Sequence, residues 1–209
     1  MKLILISSSG KSEDETKQLV QLFEMGIETF HLRKPKMTTK ELRSYLEAVP
    51  EVFHDRIIIH SHHDLAVSYN LKGIHMTRIH KKRKFRQWFI MQRIRMRKKN
   101  IVVSTSFRKL GNLYEEENKY SYVFLSPIFD SLSGKFQSGF NEFSLKAAIE
   151  KTPHKVIARG GMDLSKIEKV REIGFYGMAF YSTIWKSKDP VEAGLKLFEK
   201  LKALGINPA

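Results

Sequence analysis

The chain has 209 residues, a length that fits one large domain or two small ones. Apolar residues make up 42% and charged residues 28%, which excludes a disordered chain. The absence of cysteine excludes disulfides, thiolate-ligated zinc, iron–sulfur clusters and a thiol nucleophile. Lys and Arg number 37 against 22 Asp and Glu, a formal net charge of +15. Ten of the basic residues, with no acidic one among them, fall at positions 81–99.

Taken in chain order, short apolar runs alternate with helical patterns. Residues 2–6 read as a strand ending in a Ser/Gly turn. Ser12 with Glu15 fits a capping box for a helix that runs to Gly26. A strand at 29–32 follows, then a helix opened by Thr38 and Thr39 and closed by Pro50. Residues 57–59 are three isoleucines, a β-branched strand. A short helical piece at 64–69 leads to a strand at 73–75. The basic segment 81–99 comes next. Its Phe85, Trp88, Phe89 and Met96 fall near helical spacing, which predicts an outer helix with Trp88 and Phe89 packed inward and Lys and Arg in water. Strands at 101–103, 122–125, 155–158 and 177–180 alternate with helices at 109–117, 144–151, 164–173 and 190–204.

Eight strands, each followed by helical sequence, predict one parallel sheet covered on both faces, and in about 200 residues a single (β/α)8 TIM barrel spanning 1–209. Nothing resembles an eighteen-residue apolar span, and the N-terminal run is too short for a signal peptide, so a cytoplasmic protein with no membrane partner is expected.

In such a barrel the chemistry sits at the C-terminal ends of the strands. Alternation puts His31 and Arg33 on one face of the second strand. His60, Ser61, His62 and His63 follow the third strand, His75 and His80 surround the end of the fourth, and Ser104 ends the fifth. Histidines suit zinc, but His62 and His63 cannot both face inward from one strand. Most are therefore expected to be surface or substrate-contacting residues, with no metal ligands assigned. Gly160-Gly161 after the seventh strand and Ser182-Thr183 after the eighth are placed to hold a phosphate with backbone N–H groups.

Over nearly its whole length the sequence resembles the thiamine phosphate synthase / thiazole tautomerase family. The segments that carry the resemblance are Phe30-His31-Leu32-Arg33, Ile57-Ile58-Ile59-His60 with Asp64-Leu65-Ala66, Gly73-Ile74-His75-Met76, Val103-Ser104-Thr105, Ser126-Pro127-Ile128-Phe129, Ala158-Arg159-Gly160-Gly161-Met162 and Gly177-Met178-Ala179-Phe180-Tyr181-Ser182. The resemblance implies a (β/α)8 barrel and transfer of a hydroxymethylpyrimidine group from its diphosphate to thiazole phosphate, with Mg2+ brought by the diphosphate. By position it implies that Arg33 meets the diphosphate and that Ser104 lies near the reacting groups. His31 replaces a glutamine, and Lys36 stands near a family lysine now replaced by Pro35. Ser131 and Ser133 replace two threonines around the thiazole, with Lys135 beside them. Gly160, Gly161, Tyr181 and Ser182 surround the thiazole phosphate.

Set against the family pattern, His60-Ser61 stands where the resemblance implies Asn-Asp, and His80 where it implies a second aspartate. Pro127 stands where the tautomerase branch has a histidine. The expected partners are phosphorylated heterocyclic small molecules, a homodimer is allowed, and nucleic acid is not expected. Two alternatives stay open: a tautomerase-like or catalytically degenerate phosphate-ligand barrel, and a non-enzymatic nucleic-acid binder using residues 81–99.

Overall fold

The computed structural model describes residues 1–10, 14–130, 136 and 140–207. Its strands are β1 (Lys2–Ile6), β2 (Phe30–Leu32), β3 (Ile57–Ile59), β4 (Gly73–Met76), β5 (Val102–Phe107), β6 (Tyr122–Leu125), β7 (Val156–Arg159) and β8 (Gly177–Phe180). They neighbour one another in sequence order and close into a barrel, with helices between them, so the fold is the expected (β/α)8 barrel. β3, β6 and β8 are buried at every residue, which is why they read as unbroken apolar runs rather than alternating ones. By internal contacts the chain divides into two compact units, Ile6–Ser104 and Met1–Leu5 with Thr105–Ala209.

In the unit Ile6–Ser104 the helices are α1 (Glu15–Glu24), α2 (Thr39–Glu47), α3 (Leu65–Ser68), α4 (Arg78–Lys82) and α5 (Lys84–Arg97). Thr38 and Glu41 form a complete capping box at the start of α2, as the threonine pair predicts. α2 ends with its C-cap at Ala48, two residues before Pro50. Pro50 opens a 3-10 turn, Glu51–Arg56, that the sequence does not announce. Within that turn His54 Nε2 donates to the carbonyls of Leu46 (3.0 Å) in the last turn of α2 and of Val49 (2.9 Å) just beyond it. Arg56 donates to the carbonyls of Phe23 (2.8 Å) and Ile27 (3.2 Å) and lies 5.1 Å from the Phe53 ring, itself stacked on Phe23.

The capping box expected of Ser12 with Glu15 falls outside the described residues at Ser12; Asp14 stands at the N-cap without a side-chain cap bond, and Glu15 is fully buried. Glu15 forms an ion pair with the equally buried Lys34, accepts a hydrogen bond from Tyr45 Oη (3.0 Å), and shares Lys34 with the carbonyl of Gly10 (2.6 Å). A buried ammonium without a counter-charge costs several kcal/mol, so Lys34 depends on Glu15. Burial, with the Glu15 carboxylate beside it, pushes the Tyr45 phenol well above its usual range, so it stays protonated and donates.

Segment 81–99 departs further from expectation. The helix breaks at Arg83, and Trp88 (56% exposed) and Phe89 (66% exposed) face outward together with Phe85 and Met96. Buried in their place are Gln87 and Ile94, with Ile90 and Met91 half-buried between them. This 87/90/91/94 stripe is also helical in spacing. The choice between the two stripes is made by Gln87, whose amide bonds His63 Nδ1 at 3.1 Å.

In the unit Met1–Leu5 with Thr105–Ala209 the helices are α6 (Asn112–Glu115), α7 (Glu142–Lys151), α8 (Ile167–Ile173), α9 (Ser182–Trp185) and α10 (Pro190–Ala203). The strands β1, β8, β7 and β6 pair in parallel, with Lys2 opposite Gly177, Ile157 opposite Gly177 and Val123 opposite Val156. Asp189 caps α10 through Val191 N–H (2.8 Å) and Glu192 N–H (3.1 Å), with Pro190 in the first turn. The helix expected at 109–117 shrinks to the single turn α6, and that at 164–173 divides into a 3-10 turn, Leu164–Lys166, and α8. Among the described residues no helix is long and apolar enough to cross a membrane.

Two outcomes follow from this packing. Glu15→Ala, which strands Lys34, is expected to lower stability by roughly 3–5 kcal/mol, and Glu15→Leu combined with Lys34→Met to recover most of it, both read by urea unfolding. On α5, Ile94→Ala is expected to cost about 2–5 kcal/mol while Trp88→Ser stays within about 0.5 kcal/mol of wild type in the same measurement.

Candidate active site

The register of β2, β3 and β4 determines which side chains meet. His31 pairs with Ile58, and Ile58 with Gly73, so these three share one face of the sheet. Two residues further on, Arg33, His60 and His75 are aligned on that same face. His31 Nδ1 lies 2.9 Å from His60 Nε2. The rings of His60 and His75 stack at 4.1 Å, and that of His31 stands edge-on to both, 5.1 Å from His60 and 5.7 Å from His75. His75 Nδ1 is 2.9 Å from Ser104 Oγ on β5. All four side chains are buried, and one nitrogen from each imidazole lies within 4.8 Å of the other two.

The expected substrate residues His31 and His60 and the expected catalytic Ser104 are therefore brought into one cluster, and His75 joins them. Arg33 is exposed, its backbone clamped by Ser7, whose hydroxyl accepts from Arg33 N–H (2.8 Å) and donates to Arg33 C=O (3.1 Å). Lys36 is exposed as well. Lys34, the other lysine flanking Pro35, is committed to Glu15. Ser7 carries no motif of its own; only its position at the end of β1, opposite the β2 backbone, gives it this role.

The strand-end histidines do not behave as one group. The chain turns after β3, with His62 in a left-handed conformation (φ 51°), and His62, His63 and His80 line a separate cavity of about 540 Å³ with Thr39, Arg43 and Arg83. His63 is buried there. Its Nε2–H donates to the His75 carbonyl (3.2 Å) and its Nδ1 accepts from Gln87, which satisfies one neutral tautomer completely. Burial, reinforced by His80 at a ring distance of 4.2 Å, lowers its pKa from 6.5 to about 3.

In the other unit, Gly160 (φ 93°) and Gly161 (φ 63°) follow β7 in left-handed conformations. A Cβ on Gly160 would stand 2.8 Å from Pro127 Cα, and one on Gly161 2.5 Å from the Phe129 carbonyl oxygen. The fold itself requires both glycines, through backbone packed on backbone, whether or not an anion approaches. Thr183 Oγ1 donates to the Met162 carbonyl at 2.5 Å and ties the loop after β7 to α9. Ser182 opens α9 directly after the half-buried Tyr181, and the first-turn N–H groups of a helix have no acceptor within it. Ser131, Ser133 and Lys135 lie outside the described residues.

Set beside known proteins, residues 3–184 match the family model described as "Thiamine monophosphate synthase". The chain is 24% identical over 171 residues to a putative thiamine-phosphate synthase 2 of Aquifex aeolicus, covering 80% of this chain and 88% of that one. It is 24% identical over 208 residues to a thiamine-phosphate synthase of a Synechococcus strain, covering 96% of this chain but only 57% of that longer relative. Among solved structures, thiamine phosphate pyrophosphorylase from Bacteroides thetaiotaomicron superposes with a TM-score of 0.75 at 27% identity, over 98% of both chains. That from Pyrococcus furiosus superposes at 0.74 with 16% identity, over 97% of this chain and 96% of that one, a likeness of fold.

The state of His63 has a consequence for pH. The unfolded residue regains its ordinary value and binds a proton well before the folded one does. This contribution is therefore complete above pH 6.5 and is lost progressively as pH falls from 6.5 to about 3. Urea unfolding is expected to show a fall of roughly 2 kcal/mol between pH 6.5 and 5 from this residue, and His63→Gln a visibly shallower fall over the same range.

Proposed function

This chain belongs to the thiamine monophosphate synthase family, and we propose that it transfers a hydroxymethylpyrimidine group from its diphosphate to thiazole phosphate. In that reaction the pyrimidine C–O bond breaks, diphosphate leaves with the bonding pair, and the thiazole nitrogen supplies the pair for the new C–N bond. The observation that carries the reading is the tie between the loop of Gly160, Gly161 and Met162 and the turn of Ser182 and Thr183, a pairing of loops after strands seven and eight that suits a phosphate. Gly160, Gly161 and Ser182 hold the thiazole phosphate through backbone N–H groups. Arg33, with Lys36 near it in sequence, meets the diphosphate, and Ser104 lies near the reacting groups.

Mg2+, the ion that the family's chemistry implies, does not fit the donors near the ends of β2, β3 and β4. It demands hard oxygen ligands, whereas the buried cluster offers imidazole nitrogens. Of the carboxylates nearby, Glu15 is committed to Lys34, and Asp64 is exposed and paired with Arg93 at 3.9 Å. No step is assigned to a protein-bound Mg2+, and a synthase rate far below that of a carboxylate-bearing relative follows.

The decisive assay supplies both precursors with and without Mg2+ and reads thiamine phosphate, alongside a thiazole phosphate titration. Ser182→Asp, which sets a carboxylate against the phosphate, is expected to weaken thiazole phosphate binding at least tenfold. Ser182→Ala, which keeps the backbone donor, should change it by less than about threefold. Binding without turnover would replace the synthase reading by the degenerate phosphate-ligand barrel; no binding at all would remove both.

A further inference from the structure

We propose that His31, His60 and His75 form a three-histidine site for a borderline divalent transition ion, Zn2+ foremost, with its fourth position open to an anionic oxygen. Three observations converge on it. The first is geometry. Tetrahedral Zn–N bonds of about 2.0–2.1 Å place ligand nitrogens about 3.4 Å apart. The His31–His60 nitrogens stand at 2.9 Å and the whole set lies within 4.8 Å; binding an ion requires the His60 and His75 rings to rotate out of their 4.1 Å stack so that their in-plane nitrogens converge.

The second is what holds the ligands. His31 and His75 lie within β2 and β4 and His60 follows β3 directly, so sheet register fixes their backbones. Ser104 Oγ lies 2.9 Å from His75 Nδ1, an outer-shell hydrogen bond of the kind metal-ligating histidines commonly make through the nitrogen that does not bind the ion. The third is donor chemistry. Three neutral imidazoles select Zn2+, Co2+ or Ni2+ over Mg2+ or Ca2+. They also leave the ion's charge uncompensated, so the open position attracts hydroxide or a phosphate oxygen. That is the kind of group a diphosphate substrate would present, but the site does not depend on synthase activity.

The test uses untagged, chelator-stripped full-length protein titrated with Co2+ and then Zn2+. One equivalent of Co2+ with the visible absorption of a tetrahedral site, displaced by one equivalent of Zn2+, is expected. His60→Ala and His75→Ala should weaken binding at least a hundredfold, Ser104→Ala ten- to a hundredfold, and His62→Ala less than twofold. Wild-type thermal unfolding should shift upward with added Zn2+ and not with added Mg2+, a measurement that needs no folded variant. Absence of stoichiometric Co2+ and Zn2+ uptake by the wild type, or loss on His62→Ala with retention on His60→Ala, overturns the site. A bound equivalent of Zn2+ without thiamine phosphate formation overturns the synthase reading alone, and turnover without metal uptake overturns the site alone.

Discussion

The parallel register of β2, β3 and β4 is the constraint on which the rest of this site depends. Paired residues in neighbouring parallel strands project to the same side, so fixing His31 opposite Ile58 and Ile58 opposite Gly73 also fixes where His60 and His75 point. A slip of one residue in β3 would turn His60 to the opposite face and break the cluster. The register is held by burial, since the three isoleucines of β3 are sealed on both faces. It is held also by the bond from His60 N–H to the Leu32 carbonyl (3.1 Å), which carries the ladder one residue past the strand.

Two carboxylates of this unit are engaged by cations. Glu15, buried in this unit, is taken by Lys34 and Tyr45, and Asp64 turns outward toward Arg93. The same pair removes a lysine that sequence position would have offered to a diphosphate. What is left at the ends of β2 to β4 is an imidazole set backed by a hydroxyl, with an exposed arginine whose backbone Ser7 fixes. The two histidine groups are also joined, because His63 donates to the His75 carbonyl and receives from Gln87 of α5. The burial of a polar glutamine on that helix thus steadies the strand that carries His75. The outward turn of Trp88 and Phe89 is the counterpart of that choice.

The chain's own residues determined the fold class. Eight apolar runs separated by helical patterns have few compact solutions, and the strands at 2–6, 57–59, 122–125 and 177–180 were legible to the residue because burial on both faces leaves almost nothing but apolar side chains there, Lys2 at the open end of the first apart. Alternation alone placed His31 and Arg33 on one face, and the Gly160-Gly161 pair announced a turn of unusual backbone. Tertiary structure decided the remainder, because each outcome hangs on a partner distant in sequence. Glu15 found its buried partner in Lys34, 19 residues away. Gln87 outbid Trp88 for the interior because His63 was waiting for a donor. The glycines after β7 proved to be required by the Pro127 and Phe129 backbone. His31, His60 and His75, 29 and 15 residues apart, became neighbours only through strand register, a long-range quantity that no local pattern encodes.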